Sequence, residues 1–546
     1  MRPSLPLLLL ACAALVACGD DDGDTTSTDA GPDPVDMPTP EVDAFVPDPD
    51  VCDELDLARE PFEAGGAAVM GGLAGDFTVQ TTEGAWVFSE EHSGCESYVF
   101  VTYGPTDYGN GLWASVPDGL YLDGPRNAHY FIGTYETDPA AITARLATMQ
   151  AALDEGFDFH GVSEADRAFW REHIHFVNQP MNEIDGSVGT LLTATPVFAM
   201  AIDRAQHFDP LGSLFEVRGG GFQPNLGMAA YGPHWFNYLY DLEVGLDGAD
   251  AMVFPLMPGE TLTDRIIERS VTLPDASTMA GFDTLELDVQ VHCFLDPAGC
   301  SEWDRIAHIF LCIAEGDDAC AETRELVRWI TPYSRPGRRR WVMDASSLLP
   351  LMSEGGDQTF RIVMGPEWEE ATEREITISL RLADRRDEQP LAAELAFTGG
   401  NFDATYNEGR DPYVTTIPAG ATKVELVAII SGHGQTDGDN CAEWCNHVHT
   451  FTANGNEHVL DFEGQAGQAK GCAERSAEGV VPGQWGNWAP LRAGWCPGLP
   501  VEMLRIDVTA DVTPGEEATF TYTGGFDGGE PRGGTMSLSA YVVASE

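Results

Sequence analysis

Lysine is nearly absent from this 546-residue chain: only Lys423 and Lys470 occur, and the remaining basic side chains are arginines. The 29 Lys and Arg face 88 Asp and Glu, for a formal charge of −59. Such a chain is repelled by phosphate backbones and anionic membrane surfaces, which excludes nucleic acid as a first partner. Cysteine is also sparse. Twelve are too few for a disulfide-dense scaffold, yet enough for several structural bridges in an oxidising compartment. Beyond residue 18 no stretch approaches the ~20 uninterrupted apolar residues of a membrane-spanning helix. Hydrophobic residues still make up 43%, enough for a large core, and the length predicts roughly three or four domains of ~100–200 residues.

The amino terminus carries an address. Arg2 precedes an apolar run from Leu5 to Val16, too short to span a bilayer and right for a signal-peptide core. It ends in Leu15-Val16-Ala17-Cys18, which resembles a bacterial lipobox: residues 1–17 would be removed and Cys18 lipidated. An ordinary secretory signal with a chance cysteine is the alternative. Export is expected either way, with a lipid anchor on the outer membrane or cell surface, or release from it. Residues 19–51, rich in Asp, Thr and Pro with no Lys or Arg, read as a disordered acidic spacer.

From 52 to about 260 the pattern mixes strands and helices. Short strands are expected at Asp76–Val79, Trp86–Phe88, Tyr98–Val101 and Pro196–Met200. Asp138-Pro139 opens a helix whose Ile142, Leu146, Met149 and Leu153 share one face. The order weakly resembles a thioredoxin-like domain, but no Cys-x-x-Cys pair is present for redox chemistry. Cys95 either pairs with Cys52 or is simply buried.

The carboxy-terminal half reads as two β-sandwiches, 261–390 and 391–546, so the fold class is mainly β. Leu285, Leu287, Val289 and Val291 alternate with polar residues, as do Ile376, Ile378, Leu380 and Leu382, giving half-buried strands. Strand-like runs at Val424–Ile430, Met503–Val508 and Leu538–Val543 stand between Gly- and Pro-rich turns, the punctuation of sandwiches or jelly rolls. Cys293 and Cys300, Cys312 and Cys320, Cys441 and Cys445, and Cys472 and Cys496 read as disulfides at strand exits. A zinc site from Cys441, Cys445, His447 and His449 is the alternative, on a spacing that is not a common zinc frame. The histidines at i and i+2 would otherwise flank a site. Arg338-Arg339-Arg340 reads as a solvated hairpin.

Several segments carry a stronger signal in order: Cys300-Ser301-Glu302-Trp303-Asp304-Arg305, Ile330-Thr331-Pro332-Tyr333, Ile430-Ser431-Gly432-His433-Gly434, Cys441-Ala442-Glu443-Trp444-Cys445, and Gly486-Asn487-Trp488 through Arg492-Ala493-Gly494-Trp495-Cys496. From about Leu262 to the end they resemble the bacterial peptide-N-glycosidase F family, amidases that remove N-glycans from asparagine. The resemblance implies two jelly rolls side by side with a cleft between them. It implies an essential acid at Asp304, followed by Arg305, a second carboxylate at Glu443 and an arginine at Arg492. A third family glutamate stands two residues before a tryptophan. Here Trp368 is preceded at that point by Pro366, with Gly365 before it, so Glu367 is the nearest replacement. His433 stands where the family has tryptophan.

Chemically, a carboxylate such as Asp304 can deprotonate water, and Arg492 and Arg305 can stabilise negative charge. The flat faces of Trp303, Trp368, Trp444 and Trp488 can carry sugar rings. The expectation is an exported amidase acting on N-glycosylated proteins or glycopeptides as a monomer, without metal or organic cofactor. A non-catalytic glycan-binding surface lipoprotein using the same cleft is the alternative, motivated by the departure at Gly365 and Pro366.

Overall fold

A computed structural model describes residues 50–546, apart from 219–220, 295–299, 314–319, 367, 370–371, 435–439, 527–528 and 530. The signal segment, Cys18 and almost all of the acidic spacer lie outside the described residues, as does Glu367.

The first part is an α/β layer. Its sheet runs Ile174–Pro180, Ala128–Thr134, Ser97–Tyr103, Ala199–Ile202, Phe208–Pro210. The first three strands are parallel and the last two antiparallel. Ser97–Tyr103 and Ala128–Thr134 are buried along their whole length, as expected where both faces of a parallel sheet are covered. The helix Pro139–His160 begins at an Asp138 cap that accepts from the Ala140 amide, and buries Ile142, Leu146, Met149 and Leu153. Cys52 and Cys95 are joined in a disulfide, and no Cys-x-x-Cys pair opens a helix among the described residues. The thioredoxin-like resemblance is therefore not carried into chemistry.

The first sandwich begins earlier than the sequence suggests. Residue 260 falls inside the strand Met252–Leu262, which pairs antiparallel with Arg374–Ala383. Pro255 and Pro258 disguise this strand, and register shifts between Pro255 and Met257 and between Pro258 and Glu260 accommodate the missing amides.

Two four-stranded sheets follow. One runs Met252–Leu262, Arg374–Ala383, Thr284–Cys293, Gly337–Asp344; the other Ile266–Asp275, Gly355–Met364, Ile306–Cys312, Thr323–Ile330. Counting strands from the start of the sandwich, this is the order one-eight-three-six over two-seven-four-five, a jelly roll. The alternating residues meet across the first sheet, with Leu285 opposite Leu382 and Val291 opposite Ile376, all facing the core. The second sandwich repeats the order. Pro390–Asn401, Thr535–Ser545, Lys423–His433 and Met503–Asp507 form one sheet; Tyr413–Thr416, Glu517–Phe526, His447–Ala453 and Asn456–Asp461 form the other.

The arginine triplet is not a solvated hairpin. Only Arg338 is exposed; Arg339 is buried and donates to the carbonyls of Arg335 and Gly337, and Arg340 forks onto Asp288 at 2.7 and 2.9 Å. Buried guanidinium groups need such acceptors, and the strand pairing Asp288 with Val342 brings the carboxylate to the neighbouring strand.

The sandwiches are tied by a buried ion pair. Arg328 makes a bidentate contact to Glu325 at 2.6 and 2.8 Å, and its other nitrogen donates to Ser431 Oγ and the Ser537 carbonyl of the second sandwich. Ser539 and Tyr541 return hydroxyl bonds to Glu325. Residues 462–502, a long loop closed by the disulfide Cys472–Cys496, touch all three parts. Ser213 donates to the Gln484 carbonyl, Trp341 Nε1 to Gly479, and Trp495 Nε1 to Gly432. Truncating Glu325 would leave Arg328 buried and unpaired, at a cost of about 3–5 kcal/mol. Glu325→Ala is expected to lower the urea midpoint accordingly, whereas an unchanged midpoint would show that the pair contributes nothing net.

Candidate active site

The arginine at the centre is Arg492, fully buried in the long loop. Its Nε lies 3.3 Å from Glu443 Oε1 in the second sandwich, and its Nη2 3.8 Å from Asp304 Oδ2 in the first. Nη1 donates to the Pro490 carbonyl, and Nη2 to the Tyr333 hydroxyl at 3.3 Å. The guanidinium also stacks over Trp444, 4.5 Å from the ring centroid, and over the buried Trp495 at 5.2 Å. Each of its three nitrogens thus has an acceptor and two aromatic rings lie against it, which fixes the group in place.

Local structure explains why the acids arrive there. Asp304 precedes the strand Ile306–Cys312. Its segment is clamped by Thr331, whose Oγ1 accepts from the Arg305 amide while its own amide donates to the Arg305 carbonyl. Two residues on, Tyr333 hydrogen-bonds to Asp304 through its hydroxyl. Glu443 lies on the short helix Cys441–Trp444, closed by the Cys441–Cys445 disulfide. That bond removes the zinc alternative, and its histidines are spent elsewhere. His447 Nδ1 meets His449 Nε2 at 2.8 Å, and His449 Nδ1 meets the Tyr522 hydroxyl, both rings being inside the second sandwich. The other expected bridges, Cys293–Cys300, Cys312–Cys320 and Cys472–Cys496, are formed.

Burial sets the protonation of the acids. It raises the Asp304 carboxyl above the ordinary aspartate range, with Arg492 and the Tyr333 hydrogen bond offsetting part of that rise. Burial likewise pushes Glu443 up to about 7; Arg492 opposes this and the Asp304 charge adds to it. Two carboxyls on one arginine, one able to hold a proton near neutrality, form an acid–base arrangement. Burial and the Asp304 charge raise the Tyr333 phenol, whereas burial and the nearby Arg328 charge lower the His433 imidazole well below its ordinary value.

The other expected residues separate. Trp303 is 39% exposed and meets Tyr333 edge-on; Trp368 is 77% exposed, with Arg305 5.1 Å from its ring centroid. Trp444 is half-buried under Arg492. Trp488 is buried against Tyr231 and offers no face to a sugar, because the long loop docks it on the amino-terminal layer. His433 is half-buried, packs on Trp495 and meets Ser431 Oγ.

Sequence reasoning passed over three residues. Tyr333 stands in the Ile330–Tyr333 segment and Trp495 beside Cys496, and neither position by itself signals a role. Glu369 is the third: it pairs with Arg305 at 3.0 Å and Arg265 at 3.1 Å and accepts from Ser301. It follows Trp368 where the family glutamate precedes it. Gly365 cannot take that role, since its φ is +107° and a Cβ there would lie 3.1 Å from Arg265 Nη1 and 3.2 Å from Arg305 Cβ.

Residues 401–543 match the family model described as Peptide-N-glycosidase F, C terminal. Over 265 residues the chain is 28% identical to the peptide-N(4)-(N-acetyl-beta-D-glucosaminyl)asparagine amidase F of Elizabethkingia miricola, covering 45% of this chain and 70% of that one. Among solved structures, PNGase F, titled a glycosylasparaginase from Flavobacterium meningosepticum, aligns with 55% of this chain and 96% of its own at 20% identity and a TM-score of 0.44. PNGF-II aligns with 56% of this chain and 67% of its own at 13% identity and a TM-score of 0.42.

The raised Glu443 carboxyl has a consequence for stability. Between the ordinary carboxyl value and about pH 7 the folded chain holds a proton that the unfolded chain has lost, so this group's contribution falls as pH rises through that window. The loss amounts to roughly 3 kcal/mol at most, at ~1.4 kcal/mol per pH unit. Glu443→Gln is expected to flatten the decline of the denaturant midpoint between pH 5 and 8; parallel profiles for parent and variant would contradict the assignment.

Proposed function

For this member of the peptide-N-glycosidase F-like family, with the family's C-terminal domain over residues 401–543, we propose an amidase that hydrolyses the bond between asparagine and an N-linked glycan. The observation that carries the reading is Arg492, fully buried and shared by Asp304 and Glu443 from different sandwiches. Water adds across the side-chain amide: the carbonyl carbon ends as the carboxylate of aspartate, and the nitrogen leaves with the sugar as a glycosylamine. Asp304 takes the proton from the attacking water. Arg492, buried behind the two carboxyls, orients both of them and adds positive charge that favours the developing oxyanion from a distance. Glu443, whose carboxyl titrates near neutrality, delivers a proton to the departing nitrogen. The exposed faces of Trp303 and Trp368 receive sugar rings, and the Arg305–Glu369 pair holds the floor beneath Trp368.

The substrates in this proposal are N-glycosylated proteins or glycopeptides. Export fits the apolar run Leu5–Val16 and the five disulfides among the described residues, which require an oxidising compartment. The Leu15–Cys18 motif supports a lipid anchor, with residues 19–51 as the tether. The glycan-binding alternative loses its motive, because Glu369 supplies a carboxylate beside Arg305 where the family's glutamate is missing.

Incubation with an N-glycosylated peptide in H2(18)O is expected to convert the linkage asparagine to aspartate carrying one heavy oxygen, read by mass spectrometry. Asp304→Asn should lower kcat/KM by roughly 10²–10⁴-fold with the fold intact. Retention of glycan without conversion by the parent would leave the binding reading standing.

A further inference from the structure

The amino-terminal layer holds a second cluster of chemistry-bearing residues, remote in sequence from the amidase motifs. Glu96 follows Cys95 of the Cys52–Cys95 disulfide and precedes the strand Ser97–Tyr103. His129 is the second residue of the neighbouring parallel strand Ala128–Thr134. His173 is the last residue of the helix Glu164–His173, which leads directly into the next parallel strand. The parallel order therefore gathers all three at the amino-terminal end of the sheet, and the disulfide fixes the backbone next to Glu96.

From this geometry we infer that Glu96, His129 and His173 bind a divalent cation of the zinc class. Glu96 Oε1 lies 3.2 Å from His129 Nε2 and 3.2 Å from His173 Nε2, and all the donor atoms fall within 4.8 Å of one another. Tetrahedral ligands at the 2.0–2.1 Å bond lengths of zinc stand roughly 3.3 Å apart, so two edges of such a tetrahedron already exist. The hydrogen-bond accounting points the same way. His173 Nδ1 lies 2.9 Å from the Phe169 carbonyl, which can only accept, so the ring proton is on Nδ1. In the neutral ring Nε2 is then a bare lone pair aimed at a carboxylate oxygen. Two acceptors at that distance repel unless a proton or a metal ion lies between them.

The surroundings are those of a ligand set. Metal-bound histidines commonly donate their second nitrogen to a carbonyl or another polar group, as His173 does to Phe169; His129 Nδ1 in turn meets His175 Nε2 at 2.9 Å. The mixture of two imidazoles and one carboxylate suits zinc and its neighbours better than magnesium or calcium, which prefer oxygen throughout. The three side chains are nearly buried, yet they border an open pocket of about 550 Å³ rimmed by Glu54, Glu83, Glu91 and Glu172. The rim acids draw cations inward, and the pocket leaves a coordination position for water or a small anionic or carbonyl ligand.

The test uses the untagged full chain, stripped with a chelator and titrated with Zn²⁺ by calorimetry, and separately with Co²⁺ in the visible range. One ion per chain is expected, with tetrahedral Co²⁺ absorption that excess Zn²⁺ abolishes. Glu96→Gln and His173→Gln each remove a direct ligand and should weaken binding by at least the ~100-fold that loss of an outer-shell partner can cost, while the circular dichroism spectra of both variants match the parent's and report an intact fold. A stripped parent that takes up no ion would overturn the inference, leaving imidazolium–carboxylate pairs as the account of the cluster. Affinity unchanged in both variants would overturn it as well. Neither result depends on whether the chain is an amidase.

Discussion

A guanidinium with no exposed surface organises the carboxy-terminal half of this protein. Burying Arg492 without partners would cost several kcal/mol, so its surroundings are built to satisfy it. Glu443 comes from one sandwich and Asp304 from the other; the Pro490 carbonyl comes from its own loop, and two tryptophan rings lie against the group. Removing any one of these leaves the charge under-satisfied. The two jelly rolls must therefore dock in one register, and the pairing Glu325–Arg328, also buried and also shared across the interface, reinforces the same register. Positioning of the two carboxyls and cohesion of the two sandwiches are thus one physical problem with one solution.

The long loop 462–502 is what delivers Arg492. It has little regular structure beyond one short 3₁₀ segment, Ala473–Glu478, and is held by its disulfide and by hydrogen bonds to all three parts of the fold. A loop of this length is uncommon in a packed domain unless it carries function. Here it also anchors the amino-terminal layer, where Lys470 pairs with Asp123 at 2.6 Å and Trp488 packs on Tyr231. The layer that holds the Glu96–His129–His173 cluster is consequently braced against the loop that carries Arg492.

How much of this was legible depended on the range of the interaction. Alternation at Leu285–Val291 and Ile376–Leu382 reads as strands because one face of each must be buried. The helix after Asp138 reads from its cap and its apolar stripe. The strand Met252–Leu262 was hidden because its prolines break the local pattern and bulges repair it. The motif around Asp304 and the Cys441–Cys445 loop put the two acids in view; the resemblance to a family placed Arg492 with them. Tyr333, Trp495 and Glu369 were not legible, since their importance comes from contacts across the chain. The burial of Trp488, Arg339 and the His447–His449 pair is likewise a property of how the layers meet.

The central claim is that Asp304 and Glu443 act as one unit through Arg492. A double-mutant cycle on kcat/KM for a glycopeptide, using Asp304→Asn, Glu443→Gln and the combination, measures that coupling directly. The account predicts strong non-additivity: the double variant should lose little more than the worse single variant, because either change alone already disables the unit. Losses that multiply, as for two independent sites, would contradict it.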